Sequence, residues 1–314
     1  MTKPRVLAVT GCTATGKSAL AMALAQGLNG EIVCMDSMQV YRRMDVGTAK
    51  PTLAEQALVP HHMLDVVEPT APYAVSDYAE GAEQAIAAIA ARGRVPVLAG
   101  GTGLYLKSLL YGMTLGTVAS DPQVRARLEK IALEPEGKRT LHDRLERADP
   151  ETAARLHPND LRRVIRALEV WELTGQPLSR QRREEPERPY EILPLALRMP
   201  RAELYPRIER RVRAMMGQGL LNEVRGLLES GVPTDAQSMQ AIGYKELVPV
   251  ALGREDEETA VGRVIVNTKH FAKRQETWFK GEERLIWMDA GKEALPEART
   301  RALALAEAFL QGNA

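Results

Sequence analysis

Three features of the chain predict an α/β fold. An apolar run, Arg5-Val6-Leu7-Ala8-Val9-Thr10, leads straight into Gly11-Cys12-Thr13-Ala14-Thr15-Gly16-Lys17-Ser18, and an Ala/Leu-rich helical pattern follows over residues 19–28. Two more short apolar runs end in Asp36 and in Gly100-Gly101. From about Met113 the pattern turns to charged helical runs, and a strand-like run returns at Ile192. Together these describe a P-loop NTPase-like parallel sheet flanked by helices, with an inserted all-helical domain. Residues 1–112 are read as the first part of the core, 113–190 as the insertion and 191–314 as the return to the core with C-terminal helices.

The first strand and its loop are the most specific signal. Gly11 and Gly16 permit the tight backbone path that turns successive amides inward, into a nest for phosphate oxygens. Lys17 adds a point charge on the terminal phosphate, Ser18 a hydroxyl ligand for Mg²⁺, and the following helix its positive dipole end. A plain glycine turn does not require the G-x-x-x-x-G-K-S spacing in this setting. The loop binds a phosphate or diphosphate, and which molecule carries it must be read elsewhere.

Composition bounds the rest. The 314 residues are 45% hydrophobic, enough for a large core and more than one unit. Lys+Arg number 42 against Asp+Glu 41, a formal net charge of +1, so a nucleic-acid partner has to be met by local basic patches. Cys12 and Cys34 have no ligand-like spacing and read as reduced structural thiols. The first strand begins within a few residues of Met1 and no apolar run approaches membrane-spanning length, so a cytoplasmic protein without a membrane partner is expected. A monomer is the expected state, although nothing in the sequence fixes it.

Glu31-Ile32-Val33-Cys34-Met35 reads as the second strand, ending at Asp36-Ser37-Met38-Gln39-Val40-Tyr41. Ligands of open parallel sheets collect at the carboxyl ends of strands, which places Asp36 toward whatever the phosphate loop holds; an Asx-type turn is the structural alternative. The connection through Gly47-Thr48-Ala49-Lys50-Pro51 and Pro60-His61-His62 carries helix breakers. Adjacent histidines diverge, so loop packing and hydrogen bonding are preferred over a metal there. A helix over 76–91, with Ser76 as N-cap and Gly93 as stop, precedes a third strand, Val95-Pro96-Val97-Leu98-Ala99, which exits through Gly100-Gly101-Thr102-Gly103. Helical runs over 121–132, 137–148 and 160–174 build the insertion, and 178–188 reads as a polar linker. Two helices follow the returning strand, over 205–217 and 220–230. Arg207 and Arg211 are four apart and share a face; they suit one phosphate, or salt bridges with Glu203 and Glu209.

The order of these motifs closely resembles the tRNA dimethylallyltransferase (tRNA isopentenyltransferase) family. The resemblance runs from the phosphate loop through Asp36-Ser37-Met38-Gln39-Val40-Tyr41-Arg42, Gly47-Thr48-Ala49-Lys50-Pro51 and Gly100-Gly101-Thr102-Gly103-Leu104-Tyr105. It continues through His157-Pro158-Asn159-Asp160-Leu161-Arg162-Arg163-Val164 and on to Glu169, through Gln240-Ala241-Ile242-Gly243-Tyr244-Lys245-Glu246, and into Lys273-Arg274-Gln275-Glu276-Thr277-Trp278-Phe279, so it covers nearly the whole chain. Cys12 and Thr15 stand where such enzymes are expected to carry proline and serine.

The resemblance implies transfer of the dimethylallyl group from dimethylallyl diphosphate to the exocyclic amine of the adenosine 3′ to the anticodon, with Mg²⁺ as cofactor and a tRNA anticodon stem-loop as partner. It implies Asp36 and Thr102 at the reacting centre, with Asp36 as general base for a poorly nucleophilic amine. The loop and an arginine, placed on Arg211 with Arg207 as its near neighbour, take the diphosphate. Asp36 through Gln39, Asp160 through Val164, Gln240 through Lys245 and Lys273 through Lys280 lie against tRNA. Trp278 either stacks on a base or fills the core, with the core preferred. A P-loop small-molecule kinase is the rival enzyme. Many such kinases carry a Mg²⁺-holding aspartate where this third strand exits in glycines. A non-catalytic RNA-binding module would leave the phosphate loop and Asp36 unexplained.

Overall fold

The computed structural model describes residues 3–112, 121–180 and 187–312. Its centre is a six-stranded, wholly parallel sheet of β1 (Arg5–Gly11), β2 (Gly30–Cys34), β3 (His61–His62), β4 (Val95–Ala99), β5 (Glu191–Arg198) and β6 (Ile286–Asp289), in the order β3-β2-β4-β1-β5-β6. Helices cover both faces of a parallel sheet, so its inner strands need apolar residues on both sides. Val6, Leu7, Ala8 and Val9 accordingly have no exposed surface.

The strand expected third is fourth, because His61 and His62 pair in parallel with Ile32 and Val33. His61 Nδ1 lies 2.7 Å from the Val59 carbonyl and His62 Nε2 2.6 Å from buried Glu31. Both rings thus serve hydrogen bonding.

Helices α1 (Lys17–Gly27), α2 (Leu53–Leu58), α3 (Val75–Ala91) and α4 (Gly103–Tyr111) belong to the first stretch. Ser76 is not the cap of α3. The helix starts one residue earlier, after Ala74, whose N–H is taken by the Asp77 carboxylate at 2.8 Å. After β5 come α9 (Arg201–Gly217), α10 (Leu220–Glu229), α11 (Tyr244–Ala251) and α12 (Glu257–Lys280), then β6 and α13 (Leu295–Gln311). Helix α9 begins four residues before its expected start and carries Pro206 in its second turn.

The chain divides into one unit of Met1–Leu110 with Arg188–Ala314 and a second of Tyr111–Glu187. The second therefore ends before the expected residue 190. Arg188 ion-pairs with Glu83, and the Tyr190 hydroxyl donates to the Leu109 carbonyl at 3.3 Å, which draws both residues into the sheet unit. The change of pattern expected at Met113 and most of the linker expected over 178–188 lie outside the described residues.

The second unit contains α5 (Pro122–Ala132), α6 (Gly137–Ala148), α7 (Pro150–Ala153) and α8 (Leu161–Thr174), packed around Leu128, Leu141, Leu145, Val164 and Leu168. Glu169 is fully buried among them. Burial alone would raise its carboxyl, but hydrogen bonds from Arg166 (2.7 Å) and Arg125 (2.9 Å) with their charges hold it below the usual range. No described helix is long and apolar enough to cross a membrane.

Candidate active site

The switch in strand order puts β1 between β4 and β5, and the carboxyl ends of β1, β2 and β4 meet the helix starts there. Gly11, at φ +136°, closes β1; a Cβ on it would lie 2.5 Å from the Leu197 carbonyl oxygen, so only glycine fits. The loop then passes through left-handed Ala14 (φ 64°) and Gly16 (φ 96°) into α1. The Thr15 hydroxyl donates 2.8 Å to the Cys12 carbonyl and braces the turn. Burial pushes the Cys12 thiol up to about 11, which leaves it protonated and inert at neutral pH.

Helix α9 faces this loop across a cleft of about 490 Å³ lined by Ala14, Gly16, Lys17, Ser18, Ala49, Arg207, Arg210 and Arg211. Three arginines at i, i+3 and i+4 share the cleft, and Arg210 escaped the sequence reading although that spacing was its signal. Glu209 instead pairs with Arg213 and Lys269, and Glu203 accepts the Lys292 N–H at 2.7 Å, so the pairing considered for Arg207 and Arg211 does not form. Arg211 Nη1 reaches the Thr13 hydroxyl at 3.4 Å. Burial pushes the Lys17 ammonium down to about 8; the Arg211 charge adds to this and Asp36 opposes it. Burial also lowers Arg211, again against Asp36. The lysine and three arginines give this cleft the excess positive charge that suits an anion.

Asp36 follows β2 and closes an Asx turn, its Oδ1 accepting the Met38 N–H at 2.9 Å. The turn weighed as the structural alternative is therefore present, and it engages one of the two carboxylate oxygens. Thr102 ties this exit to that of β4: its Oγ1 accepts the Ser37 N–H at 3.0 Å and lies 3.4 Å from the Ser37 hydroxyl. The two strand exits touch at Gly100, where a Cβ would sit 1.9 Å from the Met35 carbonyl oxygen.

The Gly47 loop is held by residues the sequence reading passed over. The Glu223 carboxylate of α10 accepts the N–H groups of Asp45 (2.8 Å), Val46 (2.8 Å) and Gly47 (3.1 Å). Lys50, nearly buried, reaches Asp45 (2.5 Å), Asp65 (2.6 Å) and the Tyr41 carbonyl (2.9 Å). Gln39 donates to the carbonyls of Thr48 and Ala49, so Ala49 reaches the cleft on a pinned loop.

Several residues expected at a tRNA surface are internal. Val164, Ala241, Gly243, Tyr244, Gln275 and Phe279 are buried, because each lies on the apolar side of its helix or turn. Tyr244 packs on Gly47 and Gln275 on the phosphate loop. Their part is support. Trp278 is half-buried with its ring over Gly103, where a Cβ would come within 2.4 Å, so the core assignment is met only in part. Arg162, Gln240, Lys245, Lys273, Arg274, Thr277 and Lys280 are exposed; Arg163 is exposed and ion-paired with Asp160, and Glu276 is bridged by Arg201 and Lys280. Leu161 and Ile242 are half-buried, as are Ser37 and Met38. Among the described residues no three His, Cys, Asp or Glu side chains cluster to hold a metal ion.

A parallel sheet with a P-loop and an arginine-lined cleft beside it defines a P-loop-like α/β protein. The chain matches the family model described as IPP transferase over residues 39–282 and that described as isopentenyl transferase over 4–64. It is 51% identical to tRNA dimethylallyltransferase 1 of Trichlorobacter lovleyi, covering 91% of this chain and 94% of that one. It is 50% identical to the tRNA dimethylallyltransferase of Roseiflexus castenholzii, over 91% and 92%. Among solved structures, the tRNA isopentenylpyrophosphate transferase of Bacillus halodurans superposes with a TM-score of 0.70 at 38% identity, over 99% of this chain and 100% of that one. A eukaryotic dimethylallyltransferase captured acting on tRNA superposes with a TM-score of 0.84 at 29% identity, over 99% and 80%. The chain belongs to the tRNA dimethylallyltransferase family and is a prenyltransferase.

Proposed function

We propose that the chain transfers the dimethylallyl group of dimethylallyl diphosphate to the exocyclic amine of the adenosine 3′ to the anticodon in tRNA. The observation that carries this reading is the cleft lined by Lys17 and Arg211, with Asp36 near enough for its charge to act on both. The first two suit a diphosphate, and the third suits an amine that loses a proton.

Breaking the allylic carbon–oxygen bond places negative charge on the departing diphosphate. The loop amides, Lys17, Arg211 and Arg207 stabilise that charge more in the transition state than in the bound donor. The amine nitrogen forms the new bond to the allylic carbon, and Asp36 accepts its proton, so the products are a prenylated base, free diphosphate and a protonated carboxyl. Thr102 holds the Ser37 amide and with it the turn that aims Asp36.

Ser18, exposed at the start of α1, would be the protein ligand for Mg²⁺. Bound Mg²⁺ supplies charge neutralisation on the diphosphate.

A stacked base does not reach such a cleft, so the adenosine is extruded from the anticodon loop. Exposed Arg162 and Arg163 on α8, and Lys273, Arg274 and Lys280 on α12, provide phosphate contacts. The test incubates the chain with Mg²⁺, unmodified tRNA and either dimethylallyl diphosphate or ATP, and weighs the RNA by mass spectrometry. A gain of one prenyl unit with dimethylallyl diphosphate alone is expected. ATP consumption without that gain refutes the reading.

A further inference from the structure

We infer that Gln275 is a positioning residue, which locks the phosphate loop to the exit of β4 and thereby couples the donor side of the cleft to the acceptor side. The inference rests on the prenyl-transfer reading above. Gln275 lies in α12 with only 7% of its surface exposed. Its Oε1 accepts the Thr13 N–H at 2.8 Å and its Nε2 donates to the Gly101 carbonyl at 2.8 Å. Both partners are backbone groups of fixed polarity, one a donor and the other an acceptor. The amide orientation is therefore determined, and glutamine serves both at once at any pH, where an ionised glutamate of the same size would only accept.

One turn earlier on the same helix, the Ala272 carbonyl accepts the Cys12 thiol at 3.3 Å, so α12 grips the loop at consecutive residues. The Thr13 N–H is directed at Gln275 and not at the cleft, while the Thr13 hydroxyl faces Arg211. On the other side, Gly101 precedes Thr102, whose hydroxyl holds the Ser37 N–H beside Asp36. Gly101 is kept free of a side chain by this contact, since a Cβ there would lie 2.5 Å from Nε2 and 3.5 Å from Lys17 Cε. A single buried amide thus connects the residues that grip the leaving group to the turn that carries the base. Misplacement of about 1 Å between such groups is enough to lower a rate on the order of 10²-fold.

The test uses the full chain as wild type, Gln275→Met and Gln275→Glu. With saturating tRNA and donor, single-turnover transfer by Gln275→Met should fall about 10–10²-fold, and calorimetric binding of inorganic diphosphate should weaken about tenfold. The tRNA Kd should stay within about twofold, because a buried side chain makes no RNA contact. Gln275→Glu keeps the acceptor for Thr13 but donates to Gly101 only when protonated. Its rate relative to wild type should therefore climb as pH is lowered from about 8 to about 5.5, which loss of packing alone does not produce. A raised tRNA Kd with an unchanged saturating rate overturns the inference, as does a flat pH ratio for Gln275→Glu. Should Gln275→Met melt below the assay temperature, the Gln275→Glu profile decides. Absence of transfer by wild type counts against the prenyl-transfer reading instead, and the diphosphate binding comparison then tests Gln275 without turnover.

Discussion

The Tyr244 hydroxyl donates a 2.6 Å hydrogen bond to Glu223, and the same carboxylate accepts three consecutive amides from Asp45 to Gly47. The Tyr244 ring fills the space that a side chain on Gly47 would need. A buried phenol and one carboxylate thus hold the loop that brings Ala49 to the phosphate cleft. Tyr244→Phe leaves the ring and deletes only the hydrogen bond to a charged partner, which should cost about 1.5–3 kcal/mol of stability. Glu223→Ala should cost more and raise the donor KM, because three amides lose their acceptor. Denaturant melts and donor titrations check both, and a Glu223→Ala protein with wild-type KM would detach this loop from the site.

Lys17 titrates within reach of ordinary assays. Its ammonium is pushed down to about 8 by burial and by Arg211, so it is charged below that pH and neutral above it. Attraction for diphosphate is present at pH 7 and is lost as pH rises through about 8. Donor kcat/KM should fall on that alkaline limb for wild type. Lys17→Ala should lack the limb and start from a rate lower by about 10²-fold or more, the scale of losing one electrostatic donor.

Asp36 separates base from turn by substitution. Asp36→Asn keeps an oxygen for the Met38 N–H but loses the proton acceptor, so transfer should fall about 10²–10⁴-fold with donor and tRNA affinity little changed. Asp36→Ala should lose the turn as well, with a further stability loss of about 0.5–2 kcal/mol. Single-turnover rates alongside melts distinguish the two, and a near-normal rate for folded Asp36→Asn removes it from the mechanism.

The α9 arginines should rank by burial. Arg211 is lowered by burial and touches Thr13, whereas Arg210 is exposed at the rim. Arg211→Ala should raise the donor KM most, Arg207→Ala less and Arg210→Ala least. A larger defect for Arg207→Ala would move the diphosphate grip one helical turn.

RNA binding should depend steeply on salt despite a net charge of +1, because local basic residues displace condensed counterions. Arg162→Ala/Lys273→Ala should reduce the slope of log Kd against log salt by about 1.8, two phosphates at about 0.9 each. An unchanged slope would make these charges ordinary solvated faces.

The sequence by itself determined the parts whose constraint is local. The β1 run, the left-handed glycine at Gly16, the lysine and serine that open α1, and Asp36 at a strand exit all follow from short-range backbone geometry and burial period, so each was legible from a few neighbours. Only the tertiary structure decided what depends on partners far along the chain. The two-residue strand β3 has too short a run to carry a periodic signal and exists because β2 offers it an edge. Gln275 is separated by 262 residues from Thr13 and by 174 from Gly101, and Glu223 by more than 170 from the amides it holds. No periodicity encodes such pairs. Inside a motif that resembles an RNA-binding stretch, the helix face alone determines which side chains meet solvent: Lys273 and Arg274 turn outward, while Gln275 one position further turns in, to hydrogen-bond backbone groups that burial would otherwise leave unpaired.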